Sequence, residues 1–68
     1  MLLWRIESKS ENEDRRVECH LVRRDMEYRL SVRRGKTLFV NEVHRTMVSA
    51  SERAEELRRQ ALEGALWR

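Results

Sequence analysis

Cys19 and His20 stand side by side, and Glu42 and His44 lie two residues apart further along the chain. A thiol beside an imidazole raises two chemistries, nucleophilic catalysis and metal ligation. Nucleophilic work needs an accessible thiolate with an activating base. Zinc needs three or four converging ligands. Cys19 and His20 sit in the alternating run "RRVECHLVRR", residues 15–24, so as strand residues they point to opposite faces and cannot hold one ion. Glu42 interrupts the inward alternation after Val40. It reads as a strand end, a bulge, or a carboxylate reaching toward the start of the following helix, where the dipole favours it. A lone carboxylate lacks the positioned partners of a general base. Gly35 and Gly64 are the only glycines, so no glycine-rich loop cradles a phosphate. The expectation is a protein with no enzymatic activity, no cofactor and no metal.

The arginine pairs that flank residues 17–22 raise a third chemistry, phosphate binding. Its candidates are Arg15, Arg16, Arg23, Arg24, Arg33, Arg34 and Lys36, with Arg29 between them. The chain has 15 basic and 12 acidic residues, a net charge of +3, and the whole excess lies within residues 1–48. That surplus is modest for a nucleic-acid binder, which gathers its charge on one face. Base stacking on a sheet needs exposed aromatics, and in the register below only Phe39 faces outward. The single cysteine gives no disulfide framework and fits a reducing cytoplasm. No apolar run approaches the roughly 18 residues of a membrane span, and "MLLWRIE" is too short for a signal-peptide core.

The elements that must position these residues are strands first and one helix last. At 68 residues the chain has room for one domain, residues 1–68. Alternation marks strands at about 2–7, 16–24, 28–34 and 36–43. Leu2, Trp4 and Ile6 face inward in the first strand, Val17, Cys19 and Leu21 in the second, Tyr28, Leu30 and Val32 in the third, and Leu38 and Val40 in the fourth. "RDME" and "RRGK" are turns, with Gly35 where a left-handed residue is needed. Ala50, Ala54, Leu57, Ala61 and Ala65 recur at helical spacing, so a helix is predicted over about 50–66. Ser49 with Glu52 forms its capping box, and Glu55 with Arg59 an outer-side pair. The fold class is α+β, a four-stranded antiparallel meander with a C-terminal helix on one face (ββββα).

Matching inward residues sets Trp4 against Cys19, Ile6 against Val17, Leu21 against Leu30, and Leu30 against Leu38. The outer face then places Arg5 by Glu18, Glu18 by Arg33, Glu7 by Arg16 and Arg24 by Glu27, with no like charges opposed. On that face Met1, Val22, Arg29 and Phe39 form one row, Leu3 and His20 the next, and Val43 lies beyond. The single helix cannot cover this face, and an apolar stripe around an aromatic and an arginine suits a contact surface.

Trp4, "VEC" at 17–19, "YRLSV" at 28–32, "NEVH" at 41–44 and "AEELRRQALEGALW" at 54–67 resemble a set of short uncharacterised bacterial proteins. Many of those end in Gly-Trp, whereas Ala65 and Leu66 here separate Gly64 from Trp67. The resemblance implies a strand meander with a C-terminal helix and carries no activity. The expected function is a small cytoplasmic, non-catalytic module that binds protein, forming a homodimer through Met1, Leu3, Val22, Arg29, Phe39 and Val43. The alternative is a nucleic-acid-binding accessory protein using the arginines. No membrane contact is expected.

Overall fold

A computed structural model describes residues 1–7 and 16–64. Strands β1 (Leu2–Glu7), β2 (Arg16–Arg24), β3 (Glu27–Arg34) and β4 (Thr37–His44) are followed by helix α1 (Met47–Leu62). The strands form one antiparallel sheet in the order β1-β2-β3-β4, so the ββββα architecture read from the sequence is the one observed. Two-residue loops join β2 to β3 and β3 to β4. Asp25 (φ 55°) and Gly35 (φ 57°) hold the left-handed conformation at the first loop position. Gly35 pays no Cβ penalty there, and Asp is one of the few other residues that tolerates it.

The core is the contact between one sheet face and one helix stripe. Val17, Cys19, Leu21, Leu30 and Val32 meet Ala50, Ala54, Leu57 and Ala61, all buried, with Leu3, Trp4, Ile6, Tyr28 and Val40 packed around them. Three alanines let the helix lie close to the sheet. The Trp4 indole Nε1–H donates to the Ala54 carbonyl (3.0 Å), tying edge strand β1 to the middle of α1.

Two bulges alter the expected register. In β1, Leu2 pairs with His20 and Trp4 with Cys19, which leaves Leu3 as an extra residue. Leu3 therefore turns to pack on the core and Leu2 is exposed, the reverse of the simple alternation. In β4, Val40 pairs with Val32 and Leu38 with Arg33, so Phe39 is the extra residue. Leu30 faces Glu42, not Leu38, because the two-residue turn at Gly35 and Lys36 pairs Arg34 with Thr37 and the bulge then adds one more residue; Leu38, expected inward, pairs with Arg33 on the outer side. Met1 hydrogen-bonds Leu21 in both directions (each 2.8 Å), so it lines up with Leu21 and not with Val22.

The helix starts earlier than its alanine spacing suggests. Thr46 is the N-cap, in extended conformation, and its side chain accepts from the Ser49 N–H (3.1 Å). The capping box proposed for Ser49 and Glu52 is not formed, because the Ser49 hydroxyl is bonded to His44. The helix ion pair is Arg53 with Glu56 (2.7 Å) in place of Glu55 with Arg59. Gly64 (φ 84°) takes the left-handed conformation that closes many helices, and its N–H bonds the Ala61 carbonyl (3.1 Å). Residues 65 and 66, included in the expected helix, lie outside the described residues. Loss of the true cap should cost about 1 kcal/mol. Urea denaturation of Thr46→Ala should show that loss, while Glu52→Ala should stay within about 0.5 kcal/mol of the parent.

Candidate protein-interaction face

Strand pairing lays out the uncovered side of the sheet row by row. Val22, Arg29 and Val43 form the first row, and Leu2, His20, Ser31 and Asn41 the second. Arg5, Glu18, Arg33 and Leu38 form the third, and Glu7 and Arg16 the last. The Val22–Arg29 neighbours are those expected, but the third member of the row is Val43 and not Phe39, because the β3–β4 turn and the bulge together shift β4 by four residues. Met1 and Leu3 leave the set: Leu3 packs on the core, and Met1 lies with Leu21, Tyr28 and Met47 around an open groove at the sheet end.

The apolar side chains therefore do not form a central stripe. The middle of the face is polar, with His20, Ser31 and Asn41 side by side. The exposed apolar groups of this face on edge strand β4 are Leu38 (44 %) and Val43 (53 %), with Val22 and Leu2 on other strands; Phe39 (39 %), the bulge residue beside inward Val40, lies toward the covered side. The Arg34 guanidinium lies 4.9 Å from the Phe39 ring centroid, within cation–π range.

The far end of the face is ionic. Glu18 is approached by Arg5 (3.7 Å), Arg16 (3.9 Å) and His20 (3.0 Å), and Glu7 by Arg16 (3.4 Å). The pairings of Arg5 with Glu18 and Glu7 with Arg16 are those the register predicts. Glu18 with Arg33, and Arg24 with Glu27, are strand neighbours but form no ion pair. Exposed pairs of this kind contribute roughly 0–1 kcal/mol each, so they keep the surface solvated more than they hold it together.

The arginines proposed for phosphate binding are divided between the two faces. Arg16, Arg24, Arg29 and Arg33 fall on the uncovered side, whereas Arg23 and Arg34 pair with the inward Tyr28 and Val17. Arg23 lies 5.9 Å from the Tyr28 ring centroid. Lys36 is exposed in the β3–β4 loop, and Arg15 lies outside the described residues.

The sequence reading missed a polar cluster between β4 and α1. Glu42 accepts two hydrogen bonds from Arg53 Nε (3.2 and 3.0 Å) and contacts His44 Nε2 (3.0 Å). His44 Nδ1 lies 2.7 Å from Ser49 Oγ. Alternation from inward Val40 places Glu42 and His44 on the same inward side of β4, and helical spacing brings Ser49 and Arg53 to the facing side of α1; the reading of Glu42 as a carboxylate reaching toward the helix start is met, but its partners His44 and Arg53 were not named. Hydroxyl, imidazole and carboxylate in series resemble the parts that activate a serine nucleophile. Here, however, the carboxylate is held by Arg53, and the series links the end of β4 to the first turns of α1. Burial pushes the Glu42 carboxyl up, but hydrogen bonds from His44 and Arg53 and their charges outweigh it, leaving it below the ordinary 4.5. Cys19 is fully buried, and burial alone pushes its thiol up to about 11, which keeps it protonated and unreactive at neutral pH.

Among the described residues no helix is long and apolar enough to cross a membrane. Comparison with protein-family models, with curated proteins and with solved structures gives no match.

Because Glu42 is depressed in the folded state, the stability it contributes is present above the ordinary carboxylate value. It is lost as pH falls through 4.5 and then through the folded value. Glu42→Gln should melt below the parent at neutral pH. That gap should close as both proteins are melted at progressively lower pH, down to about pH 3.

Proposed function

We propose that this chain is a small non-catalytic interaction module that self-associates through the uncovered side of its sheet, with β4 at the centre of the contact. The observation that carries this reading is the exposure of Leu38 and Val43 on the uncovered side of edge strand β4, with Val22 beside Val43's row. A domain of this length buries only about 60 % of its unfolded surface. Removing more apolar area from water adds about 25 cal/mol per Å². A two-fold pair of identical surfaces is the commonest closed way to do so. Cytoplasmic location belongs to the same proposal and rests on the buried, unpaired Cys19.

Nucleic acid is the second reading. Arg29 and Arg33, two apart on the outer side of β3, make no ion pair among the described residues. Contacts to phosphates weaken steeply with salt, whereas apolar contacts do not. Retention on DNA or RNA at low salt, lost in the Arg33→Ala, Arg34→Ala double variant, would favour this reading over self-association.

Light scattering should give twice the chain mass for the wild type. Val43→Asp should shift it to the monomer mass and lower the melting temperature. Met26→Asp, at a still more exposed apolar position in the β2–β3 loop, should leave the mass unchanged. A wild type that stays at monomer mass at its highest soluble concentration would overturn the proposal. The non-catalytic part has its own check, since Ser49 should resist labelling by a serine-directed fluorophosphonate.

A further inference from the structure

At one end the sheet runs past the helix. Helix α1 begins at Met47, and its first buried residue is Ala50. Beyond the core pair of Leu21 and Leu30, alternation puts the row Arg23, Tyr28 and His44 on the same side of the sheet. His44 is engaged by Glu42 and Ser49, but Tyr28 is only half-buried and Arg23 is exposed. An open groove of about 510 Å³ results, lined by Met1, Leu21, Val22, Arg23, Tyr28 and Met47. Ligand sites have this size and make-up, roughly 300–1,000 Å³ of mostly apolar wall with a few polar groups. Leu21 is its buried floor (4 % exposed), while Met1 and Met47 stand open to water. Methionine, flexible and polarisable, adapts to irregular apolar shapes. The polar groups are the Tyr28 hydroxyl and the Arg23 guanidinium, which lies 5.9 Å from the Tyr28 ring centroid. Arg23 makes no ion pair among the described residues. No carboxylate lines the groove among those residues either.

We infer that this groove binds an aliphatic carboxylate, with its chain along Leu21, Met1 and Met47 and its carboxylate on Arg23. The charge of the lining selects the class. An anion there meets one unpaired cation and no opposing carboxylate, whereas a cationic ligand would be repelled and a neutral one would leave the guanidinium unused. A guanidinium also offers a planar fork of donors that matches the two oxygens of a carboxylate. Its place over the Tyr28 ring holds that fork beside the apolar floor, and such stacking leaves the N–H groups at the guanidinium edge available. The site does not rest on self-association. Arg23 and Tyr28 lie on the helix side of the sheet, whereas Leu38 and Val43 lie on the uncovered side.

The chain supplies its own reporters. It has three methionines, of which Met1 and Met47 line the groove and Met26 sits at the exposed β2–β3 turn outside it. Methyl NMR of the full chain, labelled at methionine, is recorded during titration with octanoate, and separately with octanol, below the concentrations at which either aggregates. Octanoate should move the Met1 and Met47 signals to saturation and leave Met26 in place. Arg23→Gln should weaken octanoate about fivefold, the most that an exposed charge pair supports, and leave octanol affinity unchanged. Arg24→Gln, at the neighbouring exposed arginine on the outer side, should leave octanoate affinity at the wild-type value. No saturable change at Met47 overturns the site. Movement of Met26 equal to that of Met47 shows general coating of apolar surface and overturns it too. Octanoate affinity untouched by Arg23→Gln, or lowered as much by Arg24→Gln, overturns recognition of the carboxylate by Arg23.

Discussion

Everything in this structure follows from one helix having to serve a four-stranded sheet. A helix can cover one face, and α1 does so with Ala50, Ala54, Leu57 and Ala61, of which only Leu57 is large. Full burial of such a leucine is worth roughly 1.5–3 kcal/mol, more than any exposed ion pair on the opposite face. The alanines contribute differently. They bring the helix backbone close enough for the Trp4 indole to reach the Ala54 carbonyl, so the first strand is fastened by a directed bond as well as by packing. No described residue covers the other face. Its ionic end, built on Glu7 and Glu18, stays in water without cost, and its apolar groups are left at β4.

The parts of the fold legible in the sequence are those where alternation is unbroken. From Trp4 to Glu7 and from Arg16 to Arg34, inward apolar residues and outward charges agree on one register, and the pairs of β1 with β2 and β2 with β3 follow from it. The misses fall at "LLW" and "LFV". In each, three consecutive apolar residues leave no polar marker to say which one is extra, and a bulge there inverts the alternation beyond it. At "LFV" the bulge turned Leu38 outward, and the β4 register was further misplaced by the turn at Gly35 and Lys36, where the two-residue loop pairs Arg34 with Thr37. The helix start was obscured for a different reason. Thr46 and Ser49 are both competent caps, and only the position of His44 shows that the Ser49 hydroxyl is already engaged.

The cluster of Glu42, His44, Ser49 and Arg53 connects these points. Its energetic contribution is small, since Glu42 and Arg53 are each about a third exposed and solvent screens them. Its contribution to specificity is larger. A slip of β4 by one residue would turn Glu42 to the outer side, away from Arg53, and bring Asn41 inward against the helix. The phase of β4 after the bulge is thus fixed by a polar lock at its C-terminal end, where the apolar pattern alone leaves it ambiguous. The same lock joins the last residues of the edge strand to the first turns of α1. The bulge therefore acts with the lock: it adds one residue at Phe39, and the lock fixes which residues from Val40 to His44 face the helix behind it.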